Sequence, residues 1–203
     1  MSKSITVFIL TCLFFCFSPM MAESSFYKQI ENRISCSPPL EKHWNKIKKV
    51  PEALALISSI QKEGPIQIVI NNGRENRFGA YWDPDNRLIA VAYSVDSDEG
   101  SIIGSLLFEL HNASVNKEFE RLDDEVIRRK MDKETYVRSM EYLEYVNSLN
   151  TAKLAEIGIR RGIFPKSARL PTYSNFKEHF SEQKRSGHSA CFARIYDGLR
   201  SLR

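Results

Sequence analysis

Between Ser101 and Val115 the chain reads SIIGSLLFELHNASV, a stretch that is apolar on nearly every side of a helix. Such a helix is stable only when surrounded, so the remaining elements have to be arranged around it. Residues Asp96 to Glu99 supply an N-cap and acids for its first turn. Glu109 conflicts with this burial, because an ionised carboxylate away from water needs hydrogen-bond partners or a proton. At about 100° per residue, Ser105, Glu109, Asn112 and Asn116 share one stripe, and Gly104, Leu107, His111 and Val115 lie opposite.

The segments on either side predict an α+β fold. Residues 40–49 and 51–63 read as helices, with Pro51 in a first turn and Gly64-Pro65 as a stop. Ile66 to Ile70, Phe78 to Trp82 and Leu88 to Tyr93 read as strands. Asn72-Gly73 and Asp83-Pro84-Asp85-Asn86 are turn signals between them, which predicts a small, mostly antiparallel, three-stranded sheet packed on the buried helix. Helices are expected over 117–130, 133–161, 174–185 and 189–201, the second of these stopped by Gly162 and Pro165. There is no repeat or low-complexity linker, so residues 23–203 are expected to form a single globular domain.

The first 22 residues have a different character. Lys3 precedes an apolar run from Ile5 to Phe17, Ser18-Pro19 breaks it, and Ala22 stands before the first acid, Glu23. This is the pattern of a signal peptide cleaved after Ala22, and it predicts export, with a bacterial periplasm as the expected compartment and secretion as the alternative. The run is shorter than the ~20 residues a spanning helix needs, so no stable membrane span is expected after cleavage. Lipidation is disfavoured because Cys16 follows Leu13-Phe14-Phe15 rather than small residues. Cleavage leaves 28 basic and 25 acidic residues, a net charge of +3, with the signs mixed along the chain, so nucleic acid is not an expected partner. Only Cys36 and Cys191 remain, and in an oxidising compartment a Cys36–Cys191 disulfide is expected in preference to two buried thiols.

The candidate chemistry centres on Glu109. On the long helix Glu144 borders the stripe of Tyr136, Met140 and Leu143, and Glu141 sits on its edge, so these acids are placed to share a polar pocket with Ser105, Glu109, Asn112 and Asn116. The competing reading pairs Glu109 with an arginine such as Arg87 or Arg160. His43, His111, His179 and His188 show no metal-ligand spacing, and neither a metal nor another cofactor is implied. Lys42-His43-Trp44 reads as a surface or interface contact, and Tyr136, Tyr142, Tyr145 and Phe119 read as helix-spaced core aromatics. The SGHSAC segment at 186–191 brings His188 close to Cys191, but a disulfide accounts for Cys191 more simply than a nucleophile does.

The order strand, GAYWDP turn, strand RLIAVAY, acidic loop and buried helix SLLFELHNA resembles the core of the zincin metallopeptidases, in which an edge strand precedes a helix carrying HExxH. The resemblance spans roughly residues 66–145. It implies that Glu109 stands where the family has its general base, and that Phe108 and Asn112 stand where it has the two zinc-binding histidines. His111 points about 160° away from Glu109 and cannot substitute. Glu141 or Glu144 falls where such families often place a third, acidic ligand. The implied protein is zincin-like in shape without zincin chemistry.

Two functions follow as expectations. One is a non-catalytic, zincin-like binding or scaffold factor that engages an envelope protein or cell-wall component, in support of a secretion or host-association function. The other is a cell-envelope hydrolase using Glu109 with Glu141 or Glu144 as acid and base, or as an atypical metal site. A solvent-open pocket with Glu109 and Glu144 within ~6 Å and one raised pKa favours the hydrolase; a closed, fully paired Glu109 favours the scaffold.

Overall fold

Short runs of β-branched and aromatic residues form one mixed sheet of four strands among the described residues: β1 (Ile34–Cys36), β2 (Ile66–Ile70), β3 (Ala80–Asp83) and β4 (Leu88–Val91). The computed structural model describes residues 34–71 and 79–202, so the expected export segment and the Asn72-Gly73 turn lie outside the described residues. The strand order is β1-β2-β4-β3; β1 with β2 and β2 with β4 are parallel, and β3 runs antiparallel to β4. This corrects the expectation of a three-stranded, mostly antiparallel sheet. The Asp83–Asn86 turn does build the β3–β4 hairpin, with Trp82 opposite Ile89 and the Asn86 backbone N–H donating to Asp83 Oδ1 at 3.1 Å. Local turn signals, however, report only on consecutive strands. They carry no information on β2 pairing with β4, or on β1, whose three residues are too few to display a period.

Parallel neighbours need a long crossover, and β1 reaches β2 through α1 (Glu41–Ile47) and α2 (Pro51–Gln61). Beyond the sheet follow α3 (Glu99–Ser114), α4 (Asn116–Ile127), α5 (Lys133–Arg160), α6 (Phe176–Ser186) and α7 (His188–Ser201). Three helices start on side-chain caps, the first of them in the Asp96–Glu99 segment where one was expected. Asp98 accepts from the Ser101 N–H at 2.7 Å, Asp132 from Thr135 at 2.8 Å and Asn175 from Glu178 at 3.0 Å. Gly187, at φ 86°, reverses the chain between α6 and α7 in a conformation that side-chain-bearing residues avoid.

Helix α3 lies in the middle of the larger apolar cluster, with Ile103, Leu106, Leu107 and Leu110 fully buried against the sheet, α1, α2 and the end of α5. A side chain at Gly104 would stand 2.7 Å from the Ala168 carbonyl oxygen, so glycine is what lets the 3-10 turn Lys166–Ala168 close over α3. A second cluster, built on Leu122, Val126, Tyr136, Val137, Met140 and Phe192, fills the space between α4, α5 and α7. Helix α5 is long enough to serve both, placing Leu154 and Ala155 in the first cluster and Tyr136 and Met140 in the second.

Three further expectations are corrected. Cys36 and Cys191 are free thiols, not a disulfide: Cys36 lies on β1 beside the first cluster, whereas Cys191 lies on α7, where Arg194 Nη2 donates to its sulfur at 3.0 Å. His43 is not at the surface but 1% exposed, set edge-on to Tyr93, because α1 turns the His43–Trp44 face inward. Tyr136 is fully buried as expected, but Tyr142 is 51% exposed and packs at an angle on Phe176, because the α5 face at that level looks outward beside α6.

Candidate functional site

A cavity of about 610 Å³ opens between the two apolar clusters. Its walls come from β3 and four helices: Tyr81 and Trp82 from the edge strand, Ser105, Phe108, Glu109 and Asn112 from α3, Asn116 and Asp123 from α4, Tyr136 and Glu144 from α5, and His188 and Phe192 from α7. The sequence produces this wall directly. Ser105, Glu109, Asn112 and Asn116 recur at helical spacing, and all four face a space that the larger apolar side chains leave open. Asn116 begins α4, where it accepts from the Trp82 indole N–H at 2.9 Å and donates to Glu120 at 2.6 Å, tying the strand to the helix.

The central feature is a carboxyl pair held by one amide. Asn112 Nδ2 donates to Glu109 Oε2 at 3.0 Å and to Glu144 Oε1 at 3.3 Å, so the two oxygens are no farther apart than the sum of those distances. Burial pushes the Glu109 carboxyl up to about 7 against the opposing pull of the Asn112 hydrogen bond and the Trp82 backbone N–H. Glu144 is raised well above the carboxylate range, first by burial and then by the negative charges of Glu109 and Glu141. Although Glu144 keeps some solvent exposure, what it faces is the cavity. Asp123, also on the wall, is raised by burial and receives the Tyr136 hydroxyl at 2.6 Å.

Glu141 behaves in the opposite way. It is fully buried behind the wall, where it accepts from Ser189 Oγ at 2.7 Å, pairs with His188 Nδ1 at 3.1 Å and approaches His179 Nε2 at 3.4 Å. Burial alone raises this carboxyl, but the combined bonds from His179, His188 and Ser189 outweigh it and bring it down to about 2. Glu141 is therefore a fixed anion that orients His188, whose ring forms part of the wall.

Neither a protein-family model, nor a curated protein, nor a solved structure matches this chain.

The structure brings Ser105, Glu109, Asn112, Asn116 and Glu144 to one cavity and places Glu141 behind it. Among the described residues Glu109 has no arginine partner: the Arg87 guanidinium instead donates to the Ile60 and Pro65 carbonyls and approaches Glu63 at 3.8 Å. His111 is turned away, with Nδ1 2.8 Å from the Leu107 carbonyl and 3.2 Å from Thr151 Oγ1. His188, Asp123, Tyr136 and Trp82 join the site without having been identified with it from sequence. Glu141 and His188 are 47 positions apart, and no local period links them. Asn147, one helical turn beyond Glu144, carried a weak signal: a second amide on the same face of α5.

Proposed function

We propose that this chain is an exported envelope hydrolase of zincin-like shape in which a carboxyl pair performs acid–base chemistry. The supporting observation is the Asn112 bridge between Glu109 and Glu144 on the wall of an open cavity. Acid–base work requires two carboxyls of unequal proton affinity, and here burial raises both, with the charge of Glu109 adding to the rise at Glu144. A coupled pair of this kind holds one proton between its members near neutral pH, and in the proposed cycle Glu109 is the ionised member and Glu144 the protonated one. Glu109 then removes a proton from a water as that water attacks the scissile carbon, and Glu144 delivers its proton to the departing group as the bond breaks. His188, held by Glu141, supplies a positioned imidazole at the same wall.

The zincin-like shape finds support in β3, an antiparallel edge strand whose Tyr81 and Trp82 share the cavity wall with Glu109 on α3. The family's zinc does not fit these residues. Phe108 offers no donor atom, and the Asn112 amide is spent on Asn147 and the two carboxyls. No step is therefore assigned to a metal.

A second reading, a non-catalytic factor that binds an envelope protein or cell-wall component in support of secretion or host association, rests on the same replacements of the histidine positions and on the aromatic walls. One experiment separates the two. The purified protein is offered chromogenic esters, amides and glycosides and isolated peptidoglycan, beside Glu109→Gln and Glu144→Gln. The hydrolase reading expects turnover of one substrate class, lost in both variants while the circular dichroism spectrum and a cooperative melt are retained. A folded wild-type protein inert toward all four points to the binding factor. One equivalent of zinc in protein prepared without chelator overturns the metal-free site.

A further inference from the structure

The cavity is unbalanced in charge. Among the described residues three carboxyl-bearing side chains, Glu109, Asp123 and Glu144, line it, no lysine or arginine does, and His188 is the only basic side chain on the wall. Arg87 approaches the Trp82 ring at 5.7 Å from the centroid but is not part of the lining. The imbalance is enclosed by apolar and aromatic surface, where an uncompensated negative charge is most costly. The apolar character continues to the mouth, where Tyr81 is 39% and Ile195 45% exposed.

We infer that the cavity accepts an organic cation, with an ammonium group seated at Glu109 and Glu144 and an apolar body against Tyr81, Phe108 and Phe192. The inference rests on the cavity being the substrate site proposed above, and it names the class of that substrate. An ammonium carries three donors and no acceptor, which suits a pair of carboxyls of which the Asn112 nitrogen engages one oxygen each. Aromatic faces add attraction for the same charge. The volume lies within the ~300–1,000 Å³ typical of small-molecule pockets. Among the described residues a carboxylate or phosphate ligand meets three acids and a single imidazole, and is disfavoured. Because Glu109 and Glu144 hold protons more tightly than ordinary carboxyls, a cation entering between them displaces protons into solution.

The test uses probes of nearly equal size: n-hexylammonium, 1-hexanol and hexanoate, titrated calorimetrically into the purified protein at pH 7 in two buffers of different ionisation enthalpy. Hexylammonium is expected to bind at least tenfold more tightly than hexanol, with net proton release, and hexanoate more weakly than either. In the Glu109→Gln, Glu144→Gln double variant the preference for the ammonium disappears while hexanol still binds, which shows that the cavity is intact. Equal binding of hexanol and hexylammonium, no binding of any probe, or a preference that survives in the double variant overturns the inference. The hydrolase assay fails independently. Turnover without an ammonium preference removes only the cation, and an ammonium preference in a protein without turnover removes only the hydrolase.

Discussion

Asn147 Nδ2 donates to Asn112 Oδ1 at 2.8 Å, and this one bond decides which way the Asn112 amide faces. With its oxygen committed to Asn147, the nitrogen must face Glu109 and Glu144. Both asparagines are buried, so a lost bond leaves an unsatisfied group that costs about 1–3 kcal/mol. Asn147→Ala is expected to destabilise by that amount in urea unfolding. It is also expected to move the Glu109 midpoint above 7, as read by NMR of a side-chain-labelled glutamate, because the hydrogen bond that lowers it is no longer held in place. An unchanged midpoint would show that Asn112 keeps its orientation without Asn147.

Glu109 contributes to stability with an unusual pH dependence. Its folded pKa, about 7, stands above the ordinary 4.5, so its contribution is fully present below pH 4.5 and is lost as pH rises through 7. Glu109→Gln keeps the shape without the charge. It is expected to be more stable than wild type at pH 8, by on the order of 2 kcal/mol, with the gain shrinking toward pH 4.5. Chemical denaturation at pH 4.5, 6 and 8 checks this; a variant less stable at pH 8 shows that the charged carboxylate is well compensated.

Glu141 has the opposite sign. Its folded pKa near 2 lies below 4.5, so its stabilisation is present above pH 4.5 and is lost as pH falls toward 2. Glu141→Gln breaks a buried cluster with Ser189, His188 and His179 and is expected to cost about 1–3 kcal/mol at pH 7. It is also expected to flatten the acid limb of the stability curve between pH 4.5 and 2. An acid limb identical to that of wild type means that another group carries it.

His43 is buried without a well-formed hydrogen bond, and its pKa is lowered, chiefly by burial and then by Lys42. A base whose folded pKa falls below its ordinary 6.5 contributes stability above that pH and loses it as pH falls. His43→Phe is expected to reduce the loss of stability between pH 7 and 5, measured by thermal melts across that range. The packing against Tyr93 remains open to an aromatic ring.

The two thiols provide the simplest check. With Cys36 and Cys191 unpaired, a reductant leaves the melting temperature unchanged, and neither Cys→Ser variant shows the ~2–5 kcal/mol loss that removal of a native disulfide brings. Burial pushes the Cys36 thiol up to about 11, so it should alkylate slowly at pH 8 in the folded protein. A reductant-sensitive melt would restore the bridge expected from the sequence.

Much of the helical framework was legible because its signals are local. The Asp96–Glu99 segment marks the start of α3, Gly162 and Pro165 mark the end of α5, and the unbroken apolar character of 101–115 places α3 in the core. The stripe from Ser105 to Asn116 was visible for the same reason, since helical spacing puts those residues on one face whatever surrounds them. His43 was misread because composition does not reveal which face of a seven-residue helix meets the core. The inward-turned His43 became legible only beside Tyr93.

The sequence by itself determined most of the helices, three of the four strands, the central place of α3 and the presence of a carboxylate where burial makes one costly. The tertiary structure alone decided that β2 pairs with β4, that the two cysteines stay apart, that Glu144 faces Glu109 while Glu141 turns to His188, and that a cavity remains between the two apolar clusters. The division has a physical cause. Caps, turns and helical faces depend on residues within a few positions of one another. Strand order, carboxyl pairing and proton affinity depend on which groups meet in space and on how much water the rest of the chain excludes from them.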